Sequence, residues 1–96
     1  MVIGVLRFTL HTPESASLKA KRQATRGVLQ RLGQRFPAAV AEVGGFDLWQ
    51  ITEAAAVVVS ADAERVDGLL AAMIRHLEAL SGDAVLTQVS TELVSM

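Results

Sequence analysis

The chain has 96 residues, of which 51% are hydrophobic and 20% charged, a composition that predicts one globular domain spanning residues 1–96 and excludes a disordered chain. It has no cysteine, which excludes disulfides, thiolate metal sites and thiol catalysis. Nine basic and ten acidic side chains give a formal net charge of −1, which taken alone argues against a generic polyanion binder.

The first half of the chain predicts a strand followed by a helix. Residues 2–11 alternate with a period of two, which is typical of a half-buried strand. Residues 17–35 carry an apolar stripe at helical spacing, which predicts a helix with Ser15 or Ser17 as its N-cap and Pro37 as its limit. The stripe consists of Leu18, Thr25, Val28, Leu29, Leu32 and Phe36.

The second half predicts a hairpin, a second helix and a final strand. Residues 38–43 and 47–59 are strand-like and are joined by Gly44-Gly45, a link typical of hairpins. Residues 62–80 repeat apolar side chains at helical spacing, and residues 84–94 alternate again with a period of two. The alternation in this last strand places one set of side chains on a common face: Val85, Thr87, Val89, Thr91 and Leu93.

The order of these elements, β-α-β-β-α-β, indicates the fold class. Ser60 or Asp62 is expected to cap the second helix, and Gly82 is expected to end it. With right-handed crossovers and a central hairpin, the order predicts a ferredoxin-like α+β sandwich. Two helices would then cover one face of a four-stranded antiparallel sheet.

The near-neutral net charge conceals a separation of basic and acidic residues along the chain. Residues 1–41 carry seven bases and one acid, which is +6, whereas residues 42–96 carry two bases and nine acids, which is −7. The first bases of residues 19–35 lie near the start of the first helix, where the macrodipole is already positive. Cations and free backbone N–H groups at such a position favour phosphate. The candidate phosphate-binding residues are Lys19, Lys21, Arg22 and Arg26.

These cations have a simpler interpretation as well. They would be solvated side chains of an ordinary basic helix face, or they would pair with the acids of the second half. Lys19, Arg22 and Arg26 lie within about 60° of one another on the helical wheel and would form one ridge. Whether this ridge is free or paired with carboxylates decides between the two interpretations.

Trp49 is a weaker candidate, and no residue pattern indicates catalysis. The single Trp lies in segment 47–50, where it would stack a base or a small ligand, or pack in the core or an interface. His11 and His76 have no partner at ligand spacing, so we expect no metal site. The serines lack a nucleophile elbow, and we expect neither enzyme activity nor a cofactor. An aromatic content of 4% also argues against an RNA-recognition motif.

Five short segments carry a family resemblance. They are Ser17-Leu18-Lys19-Ala20-Lys21-Arg22, Arg35-Phe36, Ala41-Glu42-Val43, Asp47-Leu48-Trp49-Gln50 and Val58-Val59-Ser60. On these segments the chain resembles the YlxP-like family, small bacterial domains of unknown function, over residues 1–94. The chain departs from the family pattern at Pro37, where many relatives have Asn, and at Gly44-Gly45-Phe46, where the hairpin is often more polar.

The resemblance implies a fold and a cellular context. The implied fold is ferredoxin-like, and the implied context is translation, because family genes commonly sit beside those for ribosome maturation factors. Some relatives are described as small-subunit processing or ribosome-binding factors. The resemblance carries over no catalytic residue.

Two hypotheses of different classes follow. The first is a non-enzymatic RNA- or ribosome-associated factor, with RNA or the small ribosomal subunit as its partner, that contacts phosphate through the basic first helix. The alternative is a self-associating structural or regulatory module, a homodimer that closes the open face of its sheet and has no nucleic-acid role. A third and weaker hypothesis is a small-ligand sensor at a dimer seam near Trp49.

The sequence also predicts where the protein resides. Its longest wholly apolar run, residues 54–59, is far shorter than the ~20 residues of a membrane span. The N-terminal segment is apolar without the basic region of a signal peptide. We therefore expect a cytoplasmic protein.

Overall fold

The computed structural model describes residues 1–13 and 16–96 and has a ferredoxin-like α+β architecture. Its elements follow the expected order β-α-β-β-α-β, which confirms the predicted fold class. Their bounds are β1 (Val2–His11), α1 (Leu18–Arg35), β2 (Ala39–Gly44), β3 (Ile51–Ser60), α2 (Ala63–Glu78) and β4 (Val85–Ser95).

The four strands form one antiparallel sheet in the order β2-β3-β1-β4. Strand β1 lies inside the sheet and pairs along its whole length with β3, from Val2 opposite Ser60 to His11 opposite Ile51. Its other edge pairs with β4. The apolar run that ends β3 therefore belongs to an inner strand, as expected of side chains that are apolar on both faces.

One face of the sheet is covered by the two helices and holds the core. The alternate residues Leu6, Phe8 and Leu10 of β1 are buried there. Helix α1 packs against β2, and α2 packs against β1, β3 and β4. The buried side chains of α2 recur at helical spacing, as the sequence pattern predicts: Val66, Leu70, Met73 and Leu77.

The opposite, open face of the sheet is not covered by either helix. By the strand register this face carries Ile3 and Val5 of β1 opposite Val59 and Val57 of β3. Val57 and Val59 are exposed. We call this surface, residues 3, 5, 7, 53, 55, 57, 59, 90, 92 and 94, the open sheet face.

Two strands differ from their predicted form. Strand β3 begins at Ile51 and not at residue 47, so Gly45 to Gln50 form a six-residue loop in place of a tight two-glycine turn. Gly45 has a positive φ of 73°, which allows the chain to leave β2. We call residues 45–50 the β2–β3 loop.

Strand β4 contains a bulge that the alternation pattern cannot show. Leu10 pairs with Leu86 and Thr9 pairs with Gln88, so Thr87 has no opposite residue in β1. The bulge reverses the faces of β4, because Leu86 lies opposite buried Leu10 while Val85 lies opposite His11. The prediction that Val85 shares the face of Val89 is therefore wrong.

The helices contain no membrane span within the described part of the chain: none is both long enough and apolar enough to cross a bilayer.

Candidate nucleic-acid interface

The N-terminus of α1 has a side-chain cap but no acidic residue to balance its positive helix dipole. Ser17 is the N-cap, and its hydroxyl accepts a hydrogen bond from the backbone N–H of Ala20 at 3.1 Å. The other cap candidate, Ser15, lies outside the described residues. The first turn of α1 contains no acidic residue, whereas α2 begins with Asp62 as its N-cap and Glu64 in its first turn. The first turn of α1 therefore lacks the acidic side chain that would balance the positive end of its dipole.

Three of the four candidate cations lie on the surface of α1. Lys19, Arg22 and Arg26 are all exposed and share one ridge of the helix. Among residues 1–13 and 16–96, the one ion pair within 4.0 Å is Lys21 with Glu42. The acids of the second half, from Glu42 onward, therefore do not neutralise this ridge. We call Lys19, Arg22 and Arg26 the basic ridge.

The fourth candidate, Lys21, points into the protein and corrects the sequence prediction. Its side chain is only 1% exposed. Its Nζ donates a hydrogen bond to the backbone carbonyl of Gly45 and lies 3.8 Å from Oε1 of Glu42. An ammonium enclosed in this way has no free side for an external phosphate. Lys21 therefore holds the β2–β3 loop against α1 instead of contacting a ligand.

The helical spacing of the buried stripe of α1 indicates that Lys21 is buried. The buried positions of the helix are Lys21, Thr25, Val28 and Leu32, at spacings of i, i+4, i+7 and i+11. Extending the Thr25–Val28–Leu32 stripe by one turn toward the N-terminus leads to Lys21. Further along the stripe, Thr25 forms a buried hydroxyl pair with Thr52 of β3 at 3.0 Å. Polar contacts thus connect this half of α1 to the sheet.

Trp49 lies in the β2–β3 loop and not on a strand. Its side chain is 55% exposed, so the expectation of a core position does not apply. Its backbone is held in place, because the Trp49 carbonyl accepts a hydrogen bond from the Thr12 hydroxyl at 3.4 Å. Phe46 and Leu48 in the same loop are 55% and 51% exposed. Sequence reasoning missed Leu48 because residues 47–59 were assigned to a strand, and it missed Phe46 because that residue lay in the short link between the two predicted strands.

The two histidines lie in different places: His11 pairs with Ile51 next to the β2–β3 loop, whereas His76 lies on α2. His11 ends β1, and His76 lies on α2 in edge-on contact with the ring of Phe36, with the ring centres 5.9 Å apart. Burial and then the positive charges of Arg35 and Arg31 lower the pKa of His76 below its ordinary value of 6.5. Within the described ranges, no three His, Asp or Glu side chains are grouped closely enough to hold a metal ion.

Comparison with models of known protein families identifies the family of this chain. A family model described as "Protein of unknown function (DUF503)" matches residues 3–91. The chain belongs to the DUF503 family. The match includes α1, the β2–β3 loop and most of β4, so the whole candidate surface lies in the DUF503 region. No match is found among curated proteins.

Membership of DUF503 identifies the domain but assigns no activity to it. The function of the surface depends on its chemistry. That chemistry consists of exposed cations at a helix start beside a loop with exposed aromatic side chains.

Proposed function

We propose that this DUF503 protein is a non-enzymatic RNA-binding factor that associates with the small ribosomal subunit and contacts phosphate through the basic ridge. The observation that carries the proposal is the exposure of Lys19, Arg22 and Arg26 without an ion pair to any carboxylate of the described residues. Exposed cations on one ridge attract a polyanion, because binding releases the counterions of its phosphates.

The local electrostatics support an anion at this position. The first turn of α1 has no acidic side chain, so a bound phosphate would add the negative charge that the helix dipole favours. Lys21 is excluded from the contact because it is buried. The resemblance to the YlxP-like family, with its association with translation, supports the ribosome as the source of the RNA. A cytoplasmic location belongs to the same proposal.

Charge reversal on the basic ridge tests the proposal. We expect Arg22→Glu combined with Arg26→Glu to abolish co-sedimentation with small ribosomal subunits. The fold should persist, because both side chains are exposed and substitutions at such positions usually change stability little. Circular dichroism and thermal unfolding check the fold.

The matched control makes the same change in net charge elsewhere. Arg65→Glu combined with Arg75→Glu alters two exposed positions of α2 and should leave co-sedimentation unchanged. Equal loss in both variants would indicate a response to total charge. Unchanged co-sedimentation of the Arg22/Arg26 variant would rule out the basic ridge as the contact.

A second candidate function, self-association, is favoured by the open sheet face. Val59 is 62% exposed there, next to the partly buried Ile3 and Val5. Arg7 lies on the same face, with Glu53 and Glu92 each two residues along on a neighbouring strand. None of these three charges has an ion-pair partner within 4.0 Å in the described part of the chain. Two copies related by a two-fold axis could pair them across an apolar contact.

The mass in solution distinguishes this second candidate. A homodimer that uses the open sheet face should be dimeric at micromolar concentration and become monomeric with Val59→Asp. Leu93→Asp changes an exposed apolar side chain of β4 on the other face and should leave the dimer intact. A monomeric wild-type protein by light scattering would argue against self-association.

A further inference from the structure

The β2–β3 loop exposes large apolar side chains where a loop is usually polar. Phe46, Leu48 and Trp49 are each more than half exposed, and all three fall within six residues. A cluster of apolar side chains in water is more often an interaction site than a structural necessity. Two of the three, Phe46 and Trp49, are aromatic.

The backbone of this loop is fixed by several hydrogen bonds. Gly45 accepts from Nζ of buried Lys21 in α1, and the Gln50 carbonyl accepts from the backbone N–H of Thr12 at 2.8 Å. The Gln50 side chain donates to the carbonyl of Pro13 at 3.2 Å. The rings are therefore displayed on a constrained loop, which lowers the entropy lost when they bind.

The same contacts place the loop at the end of α1 where the basic ridge begins. Lys21 lies one residue from Arg22 and two residues from Lys19, so the Cα atoms of both exposed cations lie within about 6 Å of its own. Because the Lys21 ammonium touches the loop backbone, the loop lies at the end of α1 that carries Lys19 and Arg22, whose side chains leave the helix about 100° to 160° around its axis from Lys21. A ligand that spans this end meets positive charge and aromatic surface together.

We propose that the β2–β3 loop and the basic ridge form one binding surface for single-stranded RNA, with unpaired bases stacked on Trp49 and Phe46 and the adjoining phosphates held by Lys19 and Arg22. The proposal rests on the proposed function and specifies its ligand. In a duplex the base faces are covered by their neighbours in the stack, so exposed rings can stack only on bases that are unpaired. An acidic peptide would satisfy the cations but would leave the two rings without a stacking partner.

Trp49 fluorescence tests the proposal, because this is the only Trp in the chain. The probe is a single-stranded RNA of about 12 nucleotides, within the site size typical of such surfaces. We expect the single strand to quench Trp49 to saturation and the same strand annealed to its complement to quench it little. Equal quenching by the duplex would overturn the proposal.

Substitutions separate this inference from the broader proposal. Trp49→Ala should weaken single-strand binding by roughly 5- to 150-fold, whereas Trp49→Phe should retain most of the affinity because a ring remains. Val59→Ala removes exposed apolar surface on the open sheet face and should have no effect. Binding by the variants is measured by fluorescence anisotropy of labelled RNA.

Each outcome has a definite meaning. If Trp49→Ala binds as tightly as the wild type while Arg22→Glu with Arg26→Glu does not bind, base stacking is wrong and phosphate binding stands. If the wild type binds neither strand form at low salt, RNA binding itself is wrong. If Trp49→Ala and Trp49→Phe lose affinity equally, the indole makes a contact other than stacking.

Discussion

The ammonium group of Lys21 lies inside the protein, where a charge is stable only with polar partners. Here the partners are the Gly45 carbonyl and, at a longer distance, the Glu42 carboxylate. A lysine at the edge of an apolar stripe commonly extends its head group to water, so the residue type alone favours exposure. Its burial follows from the loop that closes over it, which sequence periodicity does not describe.

Replacement of Lys21 tests its role in holding the loop. Lys21→Met keeps the length and apolar stem but removes the donor to Gly45, which should lower the free energy of unfolding by about 1–3 kcal/mol. Amide exchange should become faster at Leu48 and Thr12, whose N–H groups bond to the Gly45 and Gln50 carbonyls. Urea unfolding and hydrogen exchange measure the two effects.

A neighbouring lysine in the same helix provides the control. Lys19→Met changes the same residue type at an exposed position and should alter the free energy of unfolding by less than about 0.5 kcal/mol. Equal stability of the Lys21→Met and Lys19→Met proteins would contradict the account of Lys21.

His76 predicts a pH dependence with a definite sign. Its Nε2 is buried without a hydrogen-bond partner among the described residues, and burial together with Arg35 and Arg31 lowers its pKa from 6.5. Between that lowered pKa and 6.5, the unfolded chain takes up a proton that the folded protein does not. The contribution of neutral His76 to the free energy of unfolding is therefore fully present above pH 6.5. It is lost as the pH falls through the folded-state pKa of His76.

A variant without the imidazole isolates this contribution. The free energy of unfolding of the wild type should decrease relative to that of His76→Leu as the pH falls from about 7.5 to 5.5. At neutral pH His76→Leu should be at least as stable as the wild type, because it removes a buried polar atom without a partner. Denaturant unfolding across this pH range measures the free energy of unfolding of both proteins. If the two pH profiles are parallel, His76 does not contribute to the pH dependence of stability.

At the scale of the elements, periodicity was a good guide wherever one face of an element is buried. It predicted all six elements and the buried stripe of α2 to within a few residues. It failed at the start of β3 and at the Thr87 bulge, because both are set by the register with β1. Strand pairing is a long-range property that a local pattern cannot contain.

The close approach of α2 to β1 depends on Gly4. A Cβ atom at Gly4 would lie 2.5 Å from Cγ1 of Val66 and 3.1 Å from Cγ2 of Val58. We expect Gly4→Ala to lower the free energy of unfolding by about 1–3 kcal/mol through overpacking. Its cost should shrink in the Val66→Ala background, which a double-mutant cycle of urea unfolding measures.

Gly68, a glycine of α2, is the control for this prediction. A Cβ atom at Gly68 meets nothing within 4 Å, so Gly68→Ala should raise the free energy of unfolding by about 0.5–1 kcal/mol through helix propensity. Destabilisation by Gly68→Ala, or none by Gly4→Ala, would contradict this description of the packing.

At the scale of the whole molecule, the net charge of −1 hides a local concentration of positive charge. The sequence located three exposed cations of α1 correctly, because the helix and its wheel follow from local periodicity. It did not predict the burial of Lys21 or the exposure of Phe46 and Leu48. These depend on where the β2–β3 loop docks, which is decided by hydrogen bonds to Thr12, Pro13 and Lys21 from distant positions in the chain.

The salt dependence of RNA binding tests the central claim most directly. Three phosphate contacts by Lys19, Arg22 and Arg26 predict that log K for single-stranded RNA falls with log salt with a slope of about −2. Replacing all three with Gln should bring that slope close to zero while the fold, followed by circular dichroism, is retained. A slope that stays at its wild-type value in the triple variant would contradict phosphate binding by the basic ridge.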